Sequence, residues 1–430
     1  MSDHLNGKKL LILGANPETA VLVRTAQGMG VYTIVTDYDP DAYAKTIADK
    51  TYNVNGIDVQ RLVELARVEQ VDGILVGVAD PLVAPYQQVC EILGLPCYAT
   101  KEQVRVFTNK YHFKRKCEEY GIHGVPEFPV RENMTDAELE YIPYPVIIKP
   151  VDSCAGKGIS LCREKSEMSD AIRKALSVSP SRTIIAERYM TCDDVSIYYT
   201  FKDGKIYLSS IDDRYTCKEQ GERSPVCVGD VFPSKLEQIF LGDAHKRFCK
   251  MFKDLRMDNC ILYISAFYDN GEFYVYDPGF RLQGGGFHLI VNAVNGFDHR
   301  KMLINLALTG SMGDDDLDLM NDPHMNGKSA AVVWFLLKRG TVSTVEGVEY
   351  ARSHPDVVHI VQRFDGGETI SDDMTGTERQ VFARLYIVSK DREQLKKTIK
   401  DLKNAIKVRD TDGNDMLLNG FDVQKVFGHQ

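Results

Sequence analysis

Between Lys9 and Tyr98 short apolar runs alternate with segments of helical period, and this alternation confines the chain to an α/β architecture built on a parallel sheet. Lys9 to Leu13 reads as a strand, Gly14-Ala15-Asn16-Pro17 as a turn, Thr19 to Met29 as a helix, and Tyr32 to Thr36 as a second strand ending at Asp37. The scheme repeats with a helix over Val59 to Glu69, a buried strand over Gly73 to Val78, a helix over Pro85 to Leu93 and a short strand over Leu95 to Tyr98. Gly14 followed by the acidic Asp37 invites a dinucleotide reading. The glycine fingerprint is incomplete, with Asn16 and Thr19 where its second and third glycines belong, so a structural or substrate-facing Rossmann-like domain fits better.

At 430 residues the chain is long enough for two or three such units. Hydrophobic residues at 43% and charged residues at 26% suit a globular protein rather than a disordered one. A formal charge of −9 without a Lys/Arg block weighs against nucleic acid or an anionic membrane as the main partner, so nucleotide phosphates would need local basic groups. No apolar run reaches transmembrane length, and MSDHLNGKKLLILG lacks the apolar core and cleavage site of a signal peptide. Cysteines without a C-x-x-C pair and histidines without H-E-x-x-H point away from zinc and disulfides, toward reduced thiols in the cytoplasm.

Tyr144 to Ile159, YPVIIKPVDSCAGKGI, puts a lysine at the end of a β-branched strand and a small, glycine-containing loop directly after it. Ser153, Ala155, Gly156 and Gly158 would let a polyphosphate approach backbone N–H groups, with Lys157 adding charge. The same residues also read as a strand, a surface turn and two solvated lysines. Lys110 stands in the first turn of a helix running from Thr108 to Gly121, where a cation is unfavourable beside the helix dipole unless an anion binds there. Glu187-Arg188-Tyr189-Met190 closes a strand from Thr183, and Asp194 opens the next, an arrangement suited to an adenine edge and ribose hydroxyls. Strands over Asn259 to Tyr268 and Glu272 to Tyr276 flank the hairpin turn Asp269-Asn270-Gly271. Asp277 can then hold Mg²⁺ against phosphate oxygens, Arg281 can neutralise a transferring phosphoryl group, and Gly284, Gly285 and Gly286 admit a substrate close to backbone; a glycine-rich turn with a surface salt bridge is the plain alternative.

In order and spacing these segments resemble the ATP-grasp superfamily of ATP-dependent carboxylate–amine ligases. RLQGGGFH from Arg281, IDDRYT from Ile211 and Val231-Phe232-Pro233 are most similar to the branch that ligates amino acids. The resemblance covers the whole chain. It implies a Rossmann-like domain over residues 1–106, a two-lobed ATP-grasp domain over 107–312 with its lid lobe at about 140–200, and an α+β C-terminal domain over 313–430. It implies ATP and Mg²⁺ (or Mn²⁺), small-molecule carboxylate and amine substrates, no nucleic-acid or membrane partner, and a homodimer as the candidate assembly.

Carried over residue by residue, Lys110 and Lys149 match the two phosphate-binding lysines, and Ser153, Gly156, Lys157 and Gly158 the mobile cover. Glu187, Tyr189 and Met190 match the adenine-binding linker, with Asp194 at the ribose carboxylate. Asp277 matches the second metal carboxylate and Arg281 the arginine that contacts the acyl-phosphate. Catalysis would rest on Arg281 and Lys149, with Gly284, Gly285, Gly286 and His288 seating substrates. Two positions depart from the pattern: the first metal carboxylate falls on Ser265, and the asparagine expected two after Asp277 is Gly279. Losing two metal ligands removes charge compensation at the phosphoryl group. Either Asp269 or another carboxylate substitutes, one metal suffices, or the protein is an ATP-binding pseudoenzyme. A carboxylase acting on bicarbonate fits less well, because no biotin-type lysine motif is present.

Gly313 to Pro323 reads as an acidic connection, followed by strands over Ala330 to Leu337, Val357 to Arg363 and Val381 to Ser389 and helices over Glu346 to Arg352 and Arg392 to Ile406. Trp334, the chain's one tryptophan, is assigned to the core.

Overall fold

The computed structural model of the chain describes residues 3–152, 158–217 and 226–428. Strands β1 (Lys9–Leu13), β2 (Tyr32–Thr36), β3 (Lys50–Tyr52) and β4 (Gly73–Val76) pair in parallel in the order β3-β2-β1-β4. Helix α1 (Pro17–Gly28) joins β1 to β2, α2 (Val59–Glu69) joins β3 to β4, and α3 (Val83–Leu93) follows β4. Leu10 to Leu13 are fully buried, as a strand covered on both faces requires. Asn16 caps α1, its Oδ1 accepting from the Thr19 N–H at 2.9 Å while its amide donates to the Val78 carbonyl at 2.7 Å. Asp37 accepts from the Ala15 N–H at 2.9 Å. Asp37, which with Gly14 invited a dinucleotide reading, and Asn16, which breaks the glycine fingerprint, thus both hold the fold together.

The strand expected over Leu95 to Tyr98 does not form. Gly94 caps α3 in the left-handed region, the Leu95 N–H returns to the Cys90 carbonyl at 3.0 Å, and the Tyr98 N–H donates to Tyr86 Oη at 3.1 Å. Capping and side-chain bonds satisfy this backbone in place of a sheet edge.

After α4 (Lys101–Phe107) and α5 (Lys110–Glu118) come two further sheets. The smaller has order β6-β9-β7-β8, from β6 (Glu127–Phe128), β7 (Val146–Pro150), β8 (Ser160–Cys162) and β9 (Ile184–Arg188), and is backed by the amphipathic helix Met168–Val178. Its apolar residues, among them Val146, Ile148, Ile172 and Ala186, form a core of their own.

The larger sheet is built on β10 (Asp193–Lys202), β11 (Lys205–Cys217), β12 (Val226–Phe232), β13 (Cys260–Asp269) and β14 (Glu272–Gly279), with β5 (His123–Gly124) at its edge. The β13–β14 hairpin turns at Asn270 and Gly271, both at positive φ (51° and 90°), as Asn-Gly turns prefer. The sheet runs on into the C-terminal third, where β15 (Ser329–Leu336) pairs with β12, β19 (Val381–Ser389) with β15, and β17 (Val357–Gln362) with β19. A smaller sheet of β16 (Gly340–Glu346), β18 (Thr369–Ile370) and β20 (Lys407–Asp410) lies beside it. Among the described residues no helix is long and apolar enough to cross a membrane.

Candidate active site

The Asn109 side chain accepts from the Tyr111 and His112 N–H groups and so starts α5 one residue before Lys110. Lys110 and Lys114, four apart, then share a helix face. Lys110 Nζ lies 2.7 Å from Asp277 Oδ1 at the end of β14. Lys114 Nζ lies 2.6 Å from both Glu127 Oε1 and Glu187 Oε1, and Lys149 Nζ, from β7, lies 2.6 Å from the other oxygen of Glu187. Lys114 and Lys149 are 1% and 5% exposed, so these are buried pairs in which removing one partner strands the other. Burial pushes the Lys149 ammonium below its usual pKa, with Glu187 opposing the fall. Burial also acts against the Lys110 charge, but Asp277 outweighs it and raises the pKa. Lys149 Nζ stands 5.9 Å from the Tyr276 ring centroid on β14, so this lysine of the smaller sheet looks across at the large one.

The linker after β9 is anchored by the Tyr189 N–H to the Pro145 carbonyl at 3.0 Å, and Met190 is buried. Asp194, at the start of β10, accepts from Tyr276 Oη at 3.0 Å. Gly158 is buried and leads into β8; Ser153, Gly156 and Lys157 lie outside the described residues.

At the edge that the resemblance matched to the metal site, the register sets Ser265 directly opposite Asp277. Gly279 has a physical cause, because a Cβ there would stand 1.9 Å from the Tyr263 ring. An asparagine at 279 and a tyrosine at 263 exclude one another. Asp269 does not replace the carboxylate missing at 265: it ends the hairpin strand, four residues or about 13 Å along β13, and pairs with Arg188 at 2.7 Å. Among the described residues no group of three or more His, Cys, Asp or Glu side chains is arranged to hold a metal ion. Asp277 alone suits a single Mg²⁺ shared with nucleotide phosphates, as hard cations are often held. The carboxylate and the amide that would hold a second ion are absent from the Ser265 and Gly279 positions.

Arg281, 9% exposed, donates through Nη2 to Asp80 at 2.5 Å and through Nη1 to the Leu282 carbonyl at 2.6 Å, and lies over the Tyr263 ring. Its Nε has no partner among the described residues. The glycines behind it pack tightly: the Gly284 carbonyl accepts from Arg384 Nη1 at 2.7 Å, and a Cβ on Gly286, at positive φ, would meet the Tyr386 hydroxyl at 2.5 Å. A Cβ on Gly285 would meet the Gln283 side chain. His288, in the first turn of the helix Phe287–Asn295, is buried, and burial with Arg300 and His299 nearby lowers its pKa to about 3. It is a neutral imidazole facing the Asp298–Arg300 segment.

Three further residues at this cleft are not among those that the sequence singles out. Lys114 looks in the sequence like one more solvated helix lysine. Arg384 lies mid-strand on β19, stacked over Trp334 at 4.1 Å and paired with Glu18 of α1. Asp80 does carry a signal, since it follows the carboxyl end of a parallel strand, where ligands of open α/β sheets gather.

Residues 107–261 match the family model of the ATP-grasp domain. The chain carries an ATP-grasp domain. The L-amino acid ligase of Bacillus licheniformis superposes with a TM-score of 0.76 over 94% of this chain and 99% of that one, at 17% identity. The biotin carboxylase domain of the Hydrogenobacter thermophilus 2-oxoglutarate carboxylase, solved with MgADP, ADP and bicarbonate, gives a TM-score of 0.71 over 95% of this chain and 91% of that one, at 16% identity. At such identities the likeness is one of fold. The formate-dependent phosphoribosylglycinamide formyltransferase of Sulfolobus acidocaldarius is 27% identical over 205 residues, 45% of this chain and 50% of that protein. The chain spans about half the length of the curated relatives it matches. The α/β, ATP-grasp reading of the sequence therefore stands.

Proposed function

We propose that the protein is an ATP-dependent ligase that joins a carboxylate to an amine through an acyl-phosphate, releasing ADP and phosphate. The observation that carries this reading is the convergence of Lys110 from α5, Lys149 from β7, and Asp277 and Arg281 from β14 and the segment just after it, on one cleft between the two sheets. In this reading Lys149 and Lys110 hold the ATP phosphates, Lys149 already fixed by Glu187 and Lys110 exchanging its contact with Asp277 for phosphate. The substrate carboxylate attacks the γ-phosphorus; Arg281, released from Asp80, neutralises the acyl-phosphate oxygens while the amine attacks the carbonyl carbon and phosphate leaves. A Mg²⁺ held by Asp277 would supply charge neutralisation at the phosphates. Position and electrostatics suffice because a carboxylate is already nucleophilic and phosphate is a good leaving group.

Relatives named for amino-acid ligation and for a formate-dependent formyltransferase support a small carboxylic acid as the activated partner. A dimer is consistent with the dimeric carboxylase domain among the structural neighbours. The reading is tested by incubating the protein with ATP, Mg²⁺ and pools of carboxylates and amines, expecting ADP and phosphate in equal amounts and a hydroxamate when hydroxylamine replaces the amine. A second reading, an ATP-binding pseudoenzyme, is favoured by Ser265 and by the Tyr263 ring at Gly279. Tight ATP binding with no turnover in any pool would select it.

A further inference from the structure

Beside Asp194, the residue matched to the ribose carboxylate, the large sheet carries further charged groups that the proposed phosphoryl chemistry leaves unused. Asp194 and Ser196 on β10, Ser210, Asp212 and Arg214 on β11, and Asp230 on β12 stand on one face. The register sets Arg214 between Asp194 and Asp230, and Ser196 beside Asp212. Three carboxylates thus gather around one guanidinium, a deficit of positive charge. Two of the three have donors: Tyr276 Oη to Asp194 at 3.0 Å and Trp334 Nε1 to Asp230 at 3.2 Å. Asp212 is fully buried, and neither of its oxygens has a hydrogen-bond partner among the described residues; the Ser210 hydroxyl and Arg214 Nε are likewise unpartnered there. A buried acid without a donor is costly, and native structures rarely keep one without a reason.

The same cross-strand row runs from Asp212 through Ser196 and Ser265 to Asp277, which puts Asp212 on the sheet face that carries the metal edge. Three strand spacings separate it from Asp277, about 14 Å. One metal ion cannot be shared across that distance. The side chain two along from Ser196 is Tyr198, whose hydroxyl accepts from the Gln283 N–H at 3.4 Å, and whose ring stacks on the Tyr263 under Arg281. The acidic group and the arginine are therefore neighbours along one strand face. Burial, with Asp230 adding to it, pushes the Asp212 carboxyl well above the usual range, and burial raises Asp230 and Asp194 each to about 6.

We propose that this acidic floor receives the cationic end of the amine substrate, Asp212 accepting the N–H groups of an alkylammonium or guanidinium, so that the preferred amine is a basic one carrying a second positive charge. The inference rests on the ligase reading and names the amine class for the same site. Because Asp212 has no donor among the described residues to lose, Asp212→Asn is expected to fold.

The test is calorimetric titration of 1,4-diaminobutane and of agmatine into protein saturated with a non-hydrolysable ATP analogue. At least one is expected to bind the wild type, Asp212→Asn to weaken it tenfold or more, and Asp230→Asn to weaken it about threefold. Failure of both probes to bind the wild type, or equal binding by Asp212→Asn, overturns the inference and leaves Asp212 a neutral buried carboxyl. Titration of the nucleotide alone into the same samples separates the two readings, since it reports on the ATP site and is expected to change less than twofold in either variant.

Discussion

On the wall formed by α5, β7 and β9, Lys110, Lys114 and Lys149 meet Asp277, Glu127 and Glu187 at 2.6–2.7 Å, and each cation has an acidic partner. Across the cleft, on β10 to β12, carboxylates outnumber cations and Asp212 has no donor among the described residues. Lys114, Lys149 and Glu187 on the wall and Asp212 and Asp230 on the floor are all buried, so the contrast between them is one of compensation rather than exposure. In the proposed reading the compensated wall is the anion site, since a phosphate entering it would meet lysines already held in place. The uncompensated floor gains most from a ligand that brings positive charge. Between them lies an edge where Tyr263 occupies space that a metal-binding asparagine would need.

The contrast can be broken most sharply at Lys114. Lys114→Met leaves Glu127 and Glu187 facing each other without their shared cation, and urea unfolding is expected to show a loss of about 3–5 kcal/mol. A loss below about 1 kcal/mol would mean that the wall is not held by charge. Arg281→Ala is expected to lower turnover by roughly 10²–10³, about 3–4 kcal/mol, while calorimetry finds ATP affinity within a few-fold of wild type. Lys149→Ala should invert that pattern by losing nucleotide binding first.

The floor is probed by pH. Asp230 has a folded pKa of about 6, above the roughly 4 of an unfolded aspartate, so the unfolded chain is the one that releases its proton first. Stability is unreduced below about pH 4, falls as pH rises toward 6, and levels off above, by at most about 3 kcal/mol. Asp230→Asn should remove that fall, read as the difference between the two stability profiles; parallel profiles would contradict a buried, penalised acid. The smallest effect belongs to the edge: Gly279→Ala, which overlaps the Tyr263 ring, is expected to cost about 1–3 kcal/mol. If thermal melting shows no change, the tyrosine moves freely and a metal ligand is not excluded there.

Local features are legible in the sequence. β1, β2, α2 and β19 have the boundaries that their apolar periods announce, and the Asn270-Gly271 turn closes its hairpin as expected. Lys149 at the end of a β-branched strand and Lys110 in a first helical turn stand out because each sits oddly for solvent. Lys114 does not, because a lysine four residues from another in a helix looks the same whether it meets water or Glu187. Leu95 to Tyr98 fails as a strand because apolar character alone does not supply a neighbouring edge.

The pattern of apolar residues and turns determined the α/β fold class, the strand that presents Lys149 and the hairpin that presents Asp277, since these depend on neighbours a few positions away. Tertiary structure alone decided that Arg281 meets Asp80, that Arg384 meets Glu18, that Tyr263 fills the space at Gly279, and that no described residue donates to Asp212. A charge's partner and its desolvation depend on distances between segments far apart in the chain, and no local spacing encodes those distances.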